Sequence, residues 1–240
     1  MLRGEMKKRA LLVLVAGLLV LLAGCGGSGG DDPAGSAAHI NEATGSINGA
    51  VLDERVGTKP PPTKKVPLPK AAEAAQCYLL RKVPAKNDKV VSMKGPAPEY
   101  EKEPPMVGPH VAPPDQQADG AYLTLPDERA TVASLDHGRM TIQYAPDLPE
   151  KVQLELKGLY DTMYGGTLFF PNDNMQYALA ATTWSNGLFC TGYGGEVTLE
   201  ALRAFGEATW GKYGDEPVSK FPPEGPTPAD PKESGATGNG

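Results

Sequence analysis

Aromatic residues are sparse in this 240-residue chain, at 7%, and histidine (3), cysteine (3) and tryptophan (2) are scarcer still. Excess positive charge is absent too: 23 Lys and Arg stand against 29 Asp and Glu, a net charge of −6. Binding to nucleic-acid phosphates needs clustered cations, so an electrostatic nucleic-acid binder is excluded. The chain has no C-x-x-C, which removes the motif of a thioredoxin-like redox role. It has no heptad pattern, no collagen period and no series of membrane-length apolar runs. Proline (24) and glycine (29) are what it has in excess, together about a fifth of the residues.

The N-terminus carries Arg3, Lys7, Lys8 and Arg9, followed by apolar residues from Ala10 to Ala23. At ~1.5 Å per helical residue, about fifteen residues reach ~22 Å, short of a ~30 Å bilayer core. The run reads as a signal-peptide apolar region rather than a permanent span. It closes on Leu22-Ala23-Gly24-Cys25, which resembles a bacterial lipobox. That resemblance implies cleavage after Gly24 and a diacylglyceryl (palmitate-type) anchor on Cys25. An ordinary signal peptide with a chance cysteine is the alternative, and Met6 would open a cleaner signal than Met1. Losing residues 1–24 removes four of the basic residues and one acid, so the net charge moves from −6 to −9. The membrane partner is then reached through lipid, because two acyl chains hold firmly where one is marginal.

Residues 25–70 read as a flexible Gly/Pro-rich tether. GGSGG at residues 26–30 produces chance matches to G-x-S-x-G and G-x-G-x-x-G, without the strand and helix those motifs require. Residues 46–56 (SINGAVLDERV) are a short strand or more tether. Residues 59–70 (KPPPTKKVPLPK) favour polyproline II, as a stiff spacer or as a ligand for a partner.

Residues 71–221 carry the patterning of one folded domain, and residues 222–240 that of a disordered tail. Residues 71–80 favour helix by propensity. Residues 90–93 read as a short strand, and the proline-dense stretch 95–114 as irregular but ordered. Strands are predicted at 121–125, 140–144, 167–170 and 177–184. Between them, Val152, Leu156, Leu159, Tyr160 and Met163 form one apolar stripe on a helix over 149–164. Thr198 is placed as the N-cap of a last helix reaching about residue 213. The fold class is therefore α+β: a small, mainly antiparallel sheet with two or three helices, preceded by a proline-rich ordered loop.

With Cys25 given to lipid, Cys77 and Cys190 remain as an even pair outside the cytoplasm, where disulfides persist. A bridge between them is expected, linking the first helix to the segment after the Trp184 strand. Two separate buried thiols are the alternative.

The pieces PPMVGPH (104–110), DGAY (119–122), VASLDHG (132–138), IQYAPDLP (142–149) and ATTW (181–184) resemble, in this order, a bacterial family known as domain of unknown function 3105. The similarity extends over about residues 71–217, including Cys77, Cys190 and LRAF (202–205). The family carries no assigned activity. It looks richer in histidine, and two of its histidine positions are Ala133 and Lys89 here.

His110 and His137, beside Gly108 and Gly138, stand out chemically, with Asp136 adjacent. Two imidazoles and a carboxylate suit a divalent metal, and the nearby Met106 and Met140 thioethers suit Cu(I). A copper-binding lipoprotein is thus one expectation. In the other, the methionines fill core gaps and the histidines hold loop backbone. No catalytic residue is assigned. Asp136 beside His137 offers an acid/base pair only at a turn, since neighbours on a strand face opposite ways. Residues 192–195 (GYGG) lack the last glycine of a phosphate loop. Trp184, Tyr193, Trp210 and Tyr213 are candidates for a recognition surface. The leading expectation is a non-catalytic binding or interaction module on the outer face of a bacterial membrane, with a protein or small-molecule partner.

Overall fold

The structure, a computed structural model, describes residues 40–41, 45–113, 115–163 and 165–214. The signal segment, Cys25, the tether before residue 40 and the tail beyond 221 lie outside those residues.

The architecture is α+β. Among the described residues are four helices and two sheets. The large sheet is built from β4 (Cys77–Leu80), β5 (Gly120–Ala121), β6 (Met140–Tyr144), β7 (Thr167–Pro171), β8 (Leu179–Thr183) and β9 (Asn186–Cys190). Its strand order is β4-β9-β8-β6-β7-β5. The expectation of a small, mainly antiparallel sheet is corrected here: the sheet has six strands and is mixed. β6 pairs parallel with β7, which pairs parallel with β5, while β6, β8, β9 and β4 pair antiparallel. The parallel pair follows from a strand-helix-strand crossover, β6 to β7 through α3 (Glu150–Thr162).

Alternation along β6 divides the protein into two faces. Met140, Ile142 and Tyr144 join the main apolar cluster with Leu156, Leu159, Leu202 and Phe205. Those partners come from α3 and from α4 (Glu196–Thr209); α1 (Leu68–Ala74) adds Leu68, Ala71 and Ala72 to the same cluster. Leu156, Leu159, Tyr160 and Met163 of the expected stripe are buried, and Val152 packs against them. The opposite face carries Thr141, Gln143, Ala180, Thr182 and Phe189. It is covered by α2 (Glu128–Asp136) and by irregular chain that includes Met106 and Val111.

Several elements differ from expectation. The first helix is shorter and ends at Ala74; Gln76 at φ 54° turns the chain, and Cys77 opens a strand instead of lying in the helix. The region of VASLDHG is helical, because Asp127 caps it by accepting from the Arg129 amide at 2.9 Å. The last helix starts at Glu196 with Gly195 as N-cap; Thr198 sits inside it, its hydroxyl accepting from the Gly194 amide at 2.9 Å. Cys77 and Cys190 are bonded as expected, directly opposite each other on β4 and β9, with Cα atoms 4.2 Å apart.

Of the two readings of residues 46–56, the strand is the one found, and the chain from there to residue 63 packs on the domain. β2 (Ser46–Ile47) and β3 (Ala50–Val51) form a hairpin, whose turn places Asn48 at φ 49° and Gly49 at φ 83°. β1 (Ile40–Asn41) adds a third strand. Ile47 is buried against Tyr122, Leu168 and Phe170. Asp53, itself buried, takes the Arg55 guanidinium at 2.9 and 2.8 Å. The chain then crosses α3 at Gly57: the Gly57 amide donates to Asp161 and the Thr58 amide to the Leu154 carbonyl at 2.7 Å. Residues 60–63 lie beside Leu159 and Leu199, so the proline segment is a strap on the domain.

Candidate functional site

The face of β6 and β8 that lies under α2 and the irregular chain carries a buried polar chain. Thr182 and Thr141, register partners, share a hydrogen bond of 2.7 Å. Gln143 donates to the Thr141 hydroxyl at 2.9 Å, and its carbonyl accepts from the Asn172 amide group at 2.7 Å. All four side chains belong to residues no more than 2% exposed. Unpaired, such groups would oppose burial strongly; paired in series they lock the sheet.

The chain ends at an open cleft of about 500 Å³. Residues 145–148, which follow β6, line one side, and residues 172–173 and 175–178, between β7 and β8, line the other. Because β6 and β7 are parallel, the cleft lies beyond their carboxyl ends, where open α/β sheets commonly bind ligands. Its walls are fixed from below. The Asn172 amide donates to Tyr144 O at 2.8 Å and that of Ala145 to Ala178 O at 2.9 Å. The Gln153 side chain donates to Leu148 O at 2.8 Å. Tyr177 packs on Phe189 with ring centroids 4.9 Å apart. Asp147 and Asp173 stand exposed at the rim.

His110 lies toward the other end of β8. Its backbone bridges Val90, and Nδ1 stands 3.0 Å from the Gly108 carbonyl, so that nitrogen carries the hydrogen. Nε2 faces Asp136 Oδ2 at 3.6 Å, and the ring meets Trp184 edge-on at 5.7 Å. Asp136 ends α2 and reaches His110, while His137 is the C-cap of that helix. The expected acid/base neighbours are thus placed by a helix end, not a strand.

The structure brings His110 and Asp136 together and separates the methionines. Met106 packs with Met175, Ala180 and Phe189 on one face of the sheet; Met140 lies in the main cluster on the other. Among the described residues, no group of three or more His, Cys, Asp or Glu side chains is arranged to hold a metal ion. Of the aromatic candidates, Trp210 is buried and donates to Gly166 O at 2.8 Å, Tyr193 donates to Glu155 at 2.6 Å, and Tyr213 accepts from Arg81 at 3.1 Å. All three serve packing or surface contacts.

A carboxyl pair was not anticipated. Glu103 and Glu128 share a side-chain hydrogen bond. Burial, then the neighbouring Glu128 charge, pushes Glu103 up to about 7. Burial likewise raises Glu128, which also bonds Asn174 in the turn between β7 and β8. Burial, with the charges of Glu128 and Asp127, also raises the Tyr100 phenol beside them.

The family model described as Protein of unknown function (DUF3105) matches residues 92–218. The chain belongs to this family. No curated protein and no solved structure matches it. The DUF3105 region holds the cleft, the polar chain, His110 and Asp136. The strap, α1 and β4 precede it, so the Cys77–Cys190 bond staples those additions to the family domain.

The cleft went unseen in the sequence because both of its walls, APDLP after one strand and PNDN after another, are short irregular segments without periodicity. The usable signal was the strand-helix-strand order of residues 140–170, which implies a parallel pair.

Proposed function

We propose that this protein is a lipid-anchored binding module of the bacterial cell envelope, held on the outer face of a membrane through Cys25. Its ligand occupies the cleft beyond β6 and β7. The observation that carries the binding role is that cleft: about 500 Å³, in the range of small-molecule sites, with a floor already fixed by hydrogen bonds. The Cys77–Cys190 disulfide supports placement outside the cytoplasm, where such bonds persist. Intact-mass analysis and membrane fractionation in a bacterial host test the anchor. Wild type should lose residues 1–24, gain the diacylglyceryl mass and sediment with membranes, whereas Cys25→Ser should be unacylated. An unacylated wild-type chain retaining those residues in the cytosol sinks the proposal.

A second reading, metal binding through His110 and His137 with copper as the candidate, has only the 3.6 Å approach of Asp136 to His110 beside it, with no third ligand grouped there among the described residues. Titrating wild type, His110→Ala and His137→Ala with copper decides it. Equal stoichiometry in the three removes this reading.

A further inference from the structure

The rim of the cleft is acidic and its walls are partly apolar. Asp147 and Asp173 are exposed there, and no Lys, Arg or His lines it. Leu148, Met175 and Tyr177 line the same cleft and supply its apolar surface. One nearby feature argues for an anion instead: α3 begins at this edge, and a helix start carries partial positive charge. The chain already answers that charge. Pro149 has no N–H to offer, and Glu150 occupies the first turn. Two cations stand near this edge, and both face acids of their own: Lys151, 88% exposed, lies 4.0 Å from Glu155 on its own helix, and Arg55, which meets the Gln153 side chain at 3.2 Å, is held by Asp53 at 2.8 Å. Glu128, another acid, bonds Asn174 in the turn that carries the opposite wall.

Resting on the reading of the cleft as the binding site, we infer that its ligand is a small organic cation: a short alkyl stem ending in a guanidinium or ammonium group. The stem would lie on Leu148, Met175 and Tyr177, and the cationic head would meet Asp147 and Asp173 in charge-assisted hydrogen bonds.

Butylguanidinium, its neutral isostere butylurea and the anion pentanoate form a matched set of probes. Each is titrated into the domain while backbone amide NMR shifts are followed. Butylguanidinium should shift amides of residues 145–148 and 172–178 saturably. Asp147→Asn and Asp173→Asn, which alter exposed side chains and leave the spectrum otherwise native, should each weaken it about tenfold, the scale of one charge-assisted contact. Butylurea binding as tightly, or pentanoate alone binding, overturns the cationic ligand and leaves the cleft standing as a site. Shifts from butylguanidinium scattered over other surface carboxylates, with none in the cleft, also overturn it. No cleft shift from any of the three overturns both readings together.

Discussion

Gly57 and Gly158 cross backbone to backbone. A Cβ on Gly158 would stand 1.7 Å from the Thr58 carbonyl oxygen, and one on Gly57 would stand 2.1 Å from the Gly158 nitrogen. No side chain can swing away to relieve either contact, because the obstacles are main chain. Gly158→Ala should therefore lift the strap off α3. Overpacking of this kind costs about 1–3 kcal/mol. Urea denaturation should show that loss, and limited proteolysis should cut near residues 53–63 in the variant before wild type. Unchanged stability with an uncut strap would refute the crossing.

The Glu103–Glu128 pair predicts a pH dependence of definite sign. Glu103 is raised from its ordinary 4.5 to about 7, so the folded state holds a proton that the unfolded chain has released. Its contribution is fully present below about pH 4.5 and is lost as pH rises through 7. Tyr100, Asp127 and Arg129 share the neighbourhood, and of these the Asp127 carboxylate adds to the repulsion, through Glu128. The melting temperature of wild type should fall between pH 5 and 8, and Glu103→Gln should flatten that fall. Equal slopes in the two proteins would show that the pair does not share a proton.

Asn172 links the cleft floor to the polar chain. Asn172→Ala leaves the buried Gln143 carbonyl without its donor and removes the acceptor of the Asn174 amide. Leaving a buried group unpaired costs about 1–3 kcal/mol. By contrast, replacing Thr141 and Thr182 together with valine removes both ends of their shared bond. It should cost less than the sum of the single changes, apart from the Gln143 donor it frees. A double-mutant cycle by denaturation measures the coupling.

Replacing Cys77 and Cys190 with alanine opens a loop with a sequence separation of 113 residues. The chain-entropy account puts the loss near ~4–5 kcal/mol. Calorimetry of the double variant against wild type checks it, and a change below about 1 kcal/mol would place the stabilisation elsewhere.

Much of the fold was legible in the sequence where local period and core agree. Met140–Tyr144 alternates and is a fully buried strand. The stripe from Val152 to Met163 lies on one helix packed on the sheet. The cysteine pairing was legible from count and compartment. What failed were segments whose state is set by distant partners. VASLDHG has weak amphipathicity, and its helix depends on the Asp127 cap and on packing against β6 and β8. Residues 186–190 contain glycine and asparagine, poor strand formers, yet become a central strand between β4 and β8. The proline strap has no periodicity, and its place on α3 depends on a glycine a hundred positions away. The candidate site was half legible: His110 and Asp136 do meet, whereas the two methionines were grouped by sequence spacing and fall on opposite faces of the sheet.

The position of the Cys77–Cys190 bond bears on how the domain responds to mechanical load. Tension entering from the N-terminal side would reach the hairpin first, then the Asp53–Arg55 pair and the glycine crossing, peeling contacts one after another. It would next meet α1, packed in the main cluster, and then a covalent link into the sheet, where further extension must break a bond or shear β9 from its neighbours. Because residues 145–178 lie inside the loop that this bond closes, a pull along the backbone is routed past the cleft rather than through it.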